Sequence, residues 1–232
     1  MSIARLIDHS LLHPTLTDDE IRAGCEVARQ YGAASVCVKP YAVPLAAKCL
    51  AGSPVAVGTV VGFPHGSHAT ATKVFEAEQA CRDGATELDM VINVGKALGG
   101  DWEYVERDIR AVVEAAQRHG AITKVIFEND FLPSDALKIK LCEICARAGA
   151  EYVKTSTGFG FVRQPDGKYN YVGATVADVR LMRQHSPPQV KVKAAGGVRN
   201  YADAVRIREA GAERIGATAT AAIVAEERQA IQ

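Results

Sequence analysis

Gly149-Ala150-Glu151-Tyr152-Val153-Lys154-Thr155-Ser156-Thr157-Gly158 passes from a glycine, through a β-branched and aromatic run, to a second glycine. Glycine ends helices readily because it takes the left-handed conformation after the last turn, so this stretch reads as helix stop, strand, loop. The same punctuation recurs at Gly32-Ala33, Gly84-Ala85, Gly120-Ala121 and Gly211-Ala212. Reading between these signals predicts strands near Leu6–His9, Ser35–Val38, Val55–Phe63, Glu87–Asn93, Ile122–Glu128, Tyr152–Thr157, Val190–Ala194 and Arg214–Ala217. A helical pattern follows each one, at Asp18–Tyr31, Val43–Ala51, Ala69–Asp83, Asp101–His119, Ser134–Ala148, Thr175–Gln184, Tyr201–Ala210 and Thr218–Gln229. Thr17 with Glu20 has the spacing of a capping box, and Ser134 and Asn200 place short polar side chains at helix starts. Eight strand–helix units in 232 residues predict an α/β protein with one domain over residues 1–232, a (β/α)8 TIM barrel. An open doubly wound sheet is the alternative, but G-x-G-x-x-G is absent after the first strands.

Lysine is out of place in such strands. Strands covered on both faces are near-continuous apolar runs, and a buried ammonium is costly unless it is paired or loses its proton. Yet Lys154 sits among β-branched and aromatic residues, and Val190-Lys191-Val192-Lys193-Ala194-Ala195-Gly196-Gly197 repeats the anomaly. Glu87-Leu88-Asp89-Met90-Val91-Ile92-Asn93 does the same with the opposite charge. Strand alternation puts Asp89, Lys124, Lys154 and Lys193 together at the barrel centre if those faces point inward. A desolvated lysine beside another cation has a lowered pKa, and its neutral amine attacks carbonyls, which is Schiff-base chemistry. Lys191 has the parity of Lys193 but lies one layer lower, where an ion pair is expected. Lys124 is expected as a charge partner of Asp89 and Glu128.

The totals bound the alternatives. Twenty-seven basic residues balance twenty-seven acidic ones, which argues against a nucleic-acid or membrane-surface partner. No apolar run is long enough for a membrane span, and the N-terminus lacks a signal-peptide core, so a cytoplasmic location is expected. The cysteines, 25, 37, 49, 81, 142 and 145, fall in segments that read as buried, so reduced packing thiols are expected; Cys142 and Cys145 lie within a helical pattern rather than at a redox turn. His65-Gly66-Ser67-His68 offers two imidazoles but no obvious third ligand, so no metal is expected.

In a barrel of this kind the active site is built by loops at the C-terminal ends of the strands, with phosphate commonly bound after strands seven and eight. Gly196-Gly197 and Gly216-Ala217-Thr218 occupy those places, and Thr157-Gly158 follows the Lys154 strand. A phosphorylated substrate is therefore expected.

The motifs Ile7-Asp8-His9-Ser10-Leu11-Leu12, Gly62-Phe63-Pro64-His65-Gly66, Glu87 to Asn93, Val153 to Phe159 and Val192 to Arg199 resemble, in order and along the whole chain, those of the deoxyribose-phosphate aldolase family. The resemblance implies a metal- and cofactor-independent class I aldolase that acts on 2-deoxy-D-ribose 5-phosphate, a small phosphorylated sugar, as a homodimer or homotetramer. It implies that Lys154 forms the Schiff base, that Lys193 depresses its pKa and that Asp89 moves the proton. It also implies that Asp8, Cys37 and Lys124 line the substrate site, while Thr157, Gly158, Gly196, Gly197, Gly216 and Thr218 hold it at the phosphate end. Two features depart from the family pattern. Gly216-Ala217-Thr218-Ala219-Thr220 stands where relatives often have serines, and the segment from Gly160 to Tyr171 is longer, with Pro165-Asp166-Gly167 reading as a hairpin tip.

Overall fold

The computed structural model describes residues 2–164 and 166–231. Its elements run β1 (Ile7–Leu11), α1 (Asp18–Tyr31), β2 (Ser35–Val38), α2 (Val43–Cys49), β3 (Ala56–Val61), α3 (Thr70–Arg82), β4 (Glu87–Val91), α4 (Val94–Leu98), α5 (Trp102–Arg118) and β5 (Ile122–Ile126). They continue with α6 (Asp135–Ala148), β6 (Tyr152–Lys154), β7 (Val162–Arg163), β8 (Tyr169–Asn170), α7 (Val176–Gln184), β9 (Lys191–Ala195), α8 (Tyr201–Glu209), β10 (Arg214–Ala217) and α9 (Thr220–Ile231). The strands β1-β2-β3-β4-β5-β6-β9-β10 form a closed barrel in that order, all parallel, with β10 pairing back onto β1. This is the (β/α)8 barrel that the helix-stop punctuation predicts. The glycines of that punctuation behave as expected: Gly32 and Gly149 take left-handed conformations at the C-caps of α1 and α6.

The helices form because one face of each is apolar at helical spacing. In α5, Val105, Ile109, Val112, Val113 and Ala116 are buried against the barrel, while Glu103 and Arg107 look outward. Thr17 and Glu20 close a reciprocal capping box at the start of α1, and the Asn200 side chain accepts from the Asp203 N–H at 2.8 Å. Ser134 is the N-cap residue of α6, but its side chain makes no capping bond. The six thiols are free, and Cys142 and Cys145 are buried in the core face of α6.

Several boundaries differ from the sequence reading by two or three residues, among them the ends of β3 at Val61 and β5 at Ile126, and three of the differences have a local reason. β6 stops at Lys154 rather than Thr157 because the Thr157 N–H turns to the Glu128 carboxylate instead of a neighbouring strand. β4 stops at Val91 because the Asn93 side chain accepts from the Lys96 N–H at 3.1 Å and caps α4, a short helix that the sequence reading missed. The last helix starts at Thr220, leaving Thr218 and Ala219 in a turn. The expected hairpin is present as the antiparallel pair β7–β8, with Gly167 in a left-handed conformation; Pro165 of the expected tip lies outside the described residues.

Most apolar side chains pack in the layer between barrel and helices, while a small separate cluster of Leu12, Cys37 and Val60, with Phe63 and Phe159, stands apart from it. The loop between β3 and α3 is fixed by Gly66, whose φ is 67° and whose α-carbon lies so close to β4 that an added Cβ would stand 1.7 Å from the Ile92 carbonyl oxygen. Replacing Gly66 by Ala is therefore expected to destabilise the fold by on the order of 2 kcal/mol or more, read as a fall in the midpoint of urea unfolding at unchanged slope.

Candidate active site

Register carries the charged residues inward. Asp89 pairs with Lys124 across β4–β5, Lys154 with Ile126 across β5–β6, and Lys193 with Lys154 across β6–β9. Asp89, Lys124, Lys154 and Lys193 are at most 2% exposed. The Asp89 carboxylate receives all three ammonium groups: Lys154 at 2.5 Å and Lys193 at 2.7 Å on one oxygen, Lys124 at 2.9 Å on the other.

A lower tier extends the cluster. Lys193 also meets Asp8 at 2.5 Å, and Lys124 meets Glu87 at 2.7 Å and Asp8 at 3.4 Å. Arg214 closes the ring against Asp8 and, at 2.8 Å, Glu87. Sequence reasoning singled out Asp8 but missed Arg214 and the part played by Glu87; the available signal was that Glu87 stands two residues before Asp89 and Arg214 two before Gly216, on the same strand faces. Lys124 has Asp89 as expected, but its other partners are Asp8 and Glu87 and not Glu128. Lys191 makes no ion pair among the described residues; it is exposed, with its ammonium 5.7 Å from the centroid of the Tyr152 ring.

The balance of charge decides the protonation. Three carboxylates, Asp8, Glu87 and Asp89, face four cations, Lys124, Lys154, Lys193 and Arg214. The group is neutral when one cation gives up its proton. Lys154 has the weakest compensation, since its only carboxylate is the shared Asp89. Burial lowers its pKa below the ordinary lysine value, Asp89 opposes this, and Lys193 adds to the lowering. For Lys193 and Lys124 burial is outweighed by their carboxylates and the pKa is raised. Burial would raise the Asp89 pKa, but the three lysines outweigh it and hold the carboxyl well below its usual range.

Above this cluster opens a cavity of about 440 Å³, with Lys154 and Lys193 among its lining. Asp8, Cys37, Thr157, Gly158, Gly196, Gly197, Gly216 and Thr218 line it too. Lys124, expected to line the substrate site, instead lies off the cavity, held among carboxylates. Asp89 is likewise beneath the lining, in contact with both lysines that reach it. Burial pushes the Cys37 thiol up to about 11, so it stands in the wall as a neutral group.

One end of the cavity is built for an anion. Gly196 and Gly197 have φ of 91° and 85°, and the N–H groups of Gly196, Gly197, Val198 and Thr218 donate to nothing among the described residues. Successive free N–H groups in such a turn form a concave anion nest. The turn is held by Gly173, whose neighbour Ala174 donates to the Gly196 carbonyl at 3.0 Å. Leu12 and Phe159 also line the cavity, with Phe63 stacked edge-on to Phe159 at 5.5 Å. Phe161 and Tyr171, which flank the β7–β8 hairpin, also line the cavity and meet edge-on at 5.6 Å. Both belong to the long segment from Gly160 to Tyr171, and sequence reasoning gives neither a place in the site, although their positions on either side of the hairpin tip are visible there. His65 and His68 are exposed and not brought together with a third ligand; among the described residues no three His, Cys, Asp or Glu side chains are grouped to hold a metal ion.

A buried amine of lowered pKa at the floor of a (β/α)8 barrel, in one cavity with glycine turns whose N–H groups are free, fits an enzyme that works on carbonyl compounds through nitrogen chemistry. The family model for the DeoC/LacD family aldolases matches residues 2–224, and the chain belongs to that family and is an aldolase, a carbon–carbon lyase. Deoxyribose-phosphate aldolase of Rhodopirellula baltica is 48% identical over 227 residues, covering 98% of this chain and 90% of its own length. The enzyme of the same name from Caldanaerobacter subterraneus subsp. tengcongensis is 51% identical, covering 97% and 94%. Among solved structures, the tetrameric deoxyribose phosphate aldolase of Aeropyrum pernix superposes with a TM-score of 0.87 at 31% identity, covering 98% of this chain and 92% of its own. No helix among the described residues is long and apolar enough to cross a membrane.

The depressed pKa values of Asp8 and Asp89 fix the acid response of the fold. Their contribution to stability is fully present above the ordinary carboxylate value of 3.8 and is lost as pH falls from there towards their folded values. Thermal unfolding midpoints measured from pH 7 to pH 3 are expected to fall most steeply below about pH 4, and Asp8→Asn should flatten that fall.

Proposed function

We propose that the chain is a class I deoxyribose-phosphate aldolase, cleaving 2-deoxy-D-ribose 5-phosphate reversibly to D-glyceraldehyde 3-phosphate and acetaldehyde. The carrying observation is Lys154, buried and under-compensated beside Lys193 at the floor of the cavity. In this reading the neutral Lys154 amine adds to the substrate aldehyde carbon, giving a carbinolamine that loses water to an imine. The protonated imine draws electrons. Removal of the 3-hydroxyl proton, through a water held beside Asp89 and Lys193, breaks the C2–C3 bond, and its electron pair is held as an enamine. Glyceraldehyde 3-phosphate departs, the enamine takes a proton at C2, and water hydrolyses the new imine to acetaldehyde and free Lys154.

Asp89 is the proton carrier in this scheme because its carboxylate touches the reacting nitrogen at 2.5 Å. Lys193 keeps Lys154 short of a proton, while Asp8 and Lys124 hold Lys193 and Asp89 in place. The nest at Gly196, Gly197, Gly216 and Thr218, with Gly158, takes the phosphate. Backbone N–H groups replace the serine hydroxyls of relatives there, with Thr218 as the hydroxyl available. Cys37 and the apolar wall face the two-carbon end, and His65 and His68 have no part. We place the enzyme in the cytoplasm as a single-domain homo-oligomer working without a metal or cofactor; the tetramer of the Aeropyrum pernix relative supports assembly.

Two measurements test the chemistry. Borohydride reduction with deoxyribose 5-phosphate and chelator, followed by peptide mapping, is expected to leave the adduct on Lys154; an adduct on Lys193 would exchange their roles, and modification of neither would overturn the imine mechanism. In Lys193→Met the remaining cluster has three cations for three carboxylates, so Lys154 retains its proton to higher pH. The acid limb of kcat/KM should move upward, with activity at neutral pH lower by a factor on the order of 100. An unmoved limb would remove Lys193 from that role.

A further inference from the structure

Glu128 is the one described residue other than glycine with positive φ, at 58°, and it is buried at 1% exposure. Nothing in the proposed chemistry uses it. A non-glycine residue held in the left-handed region persists only where its surroundings over-determine it, and here they do. The Glu128 carboxylate accepts from the Thr157 N–H at 3.1 Å and from the Thr157 hydroxyl. That hydroxyl in turn accepts from the Phe159 N–H at 2.9 Å. Gly160 then passes so close that a Cβ there would stand 2.6 Å from the Glu128 carboxyl carbon.

The consequence is selective. The N–H groups of residues 157 and 159 are pinned by the relay, while the Gly158 N–H between them donates to nothing among the described residues and its residue lines the cavity. We propose that Glu128 is a positioning residue that presents the Gly158 N–H to the substrate phosphate, and so sets the preference for phosphorylated over unphosphorylated sugars. This rests on the function proposed above. Burial raises the Glu128 pKa, so its hold on Thr157 is that of a desolvated acceptor rather than of a solvated surface charge.

Glu128→Gln keeps the side-chain shape, and Glu128→Gly removes the carboxylate while suiting the left-handed backbone, so the pair separates the carboxylate from the conformation. For each variant, kcat and KM are measured with 2-deoxyribose 5-phosphate and with 2-deoxyribose, and inorganic phosphate affinity is titrated by calorimetry. The expected result is a rise in KM for the phosphorylated sugar and a weakening of phosphate binding, each by about 10-fold or more in Glu128→Gly. The ratio of kcat/KM between the two sugars should fall in parallel, with a smaller fall in Glu128→Gln. Equal losses on both sugars, or unchanged phosphate affinity in the folded variants, would overturn the proposal. If the wild type cleaves neither sugar, the proposed function fails by itself, and the phosphate titration still decides the role of Glu128.

Discussion

Four cations share three carboxylates in the buried interior of the barrel. In bulk solvent the mismatch would cost little, because the high dielectric screens it and each ammonium keeps its own hydration shell. Inside the barrel neither relief is present, and the excess falls on the residue with the fewest partners. Lys154 has one carboxylate, shared with two other lysines, whereas Lys124, Lys193 and Arg214 each meet at least two. The lower tier around Asp8, Glu87 and Arg214 is therefore more than filler: by satisfying Lys193 and Lys124 it leaves Lys154 as the lysine of the cluster whose pKa is lowered. Buried charge networks of this kind are weak sources of net stability, which makes their retention at a cavity floor intelligible as chemistry.

The walls of the cavity combine two kinds of surface. Glycine turns with free N–H groups and the apolar group of Leu12, Cys37 and Phe159 line the same cavity, and the neutral Cys37 thiol adds no charge beside the amine. The hairpin that brings Phe161 and Tyr171 to the cavity is tied down at its return by Asp130, which accepts from the Val172 and Gly173 N–H groups at 2.5 and 3.1 Å. Gly173 also lies against Gly196, so the hairpin and the anion nest share a support.

Much of this was legible before any coordinates. The repeated Gly-Ala stops predicted eight strands, because ending a helix demands a backbone that few residues other than glycine adopt easily. The lysines at 154 and 193 and the aspartate at 89 stood out because charge is expensive in a strand buried on both faces. Strand alternation then put them on common faces, and the barrel register bears that out. The errors have a physical pattern too. Strand ends were drawn too long at Asn93 and Thr157, where a side chain rather than the next strand satisfies the backbone. Lys191, expected in an ion pair one layer below Lys193, instead has its ammonium over the Tyr152 ring.

The sequence by itself determined the eightfold alternation of strand and helix that a barrel needs and which residue types had to be chemically active, since both follow from local periodicity and the cost of burying charge. Only the tertiary structure decided which cation is left under-compensated, that Lys124 lies beneath the cavity rather than in its lining, and that a strained glutamate four residues after Lys124 governs a turn on the next strand. Those facts depend on distances between groups far apart in the chain, and electrostatic energies in a low-dielectric interior change with each ångström in a way that spacing along a sequence does not record.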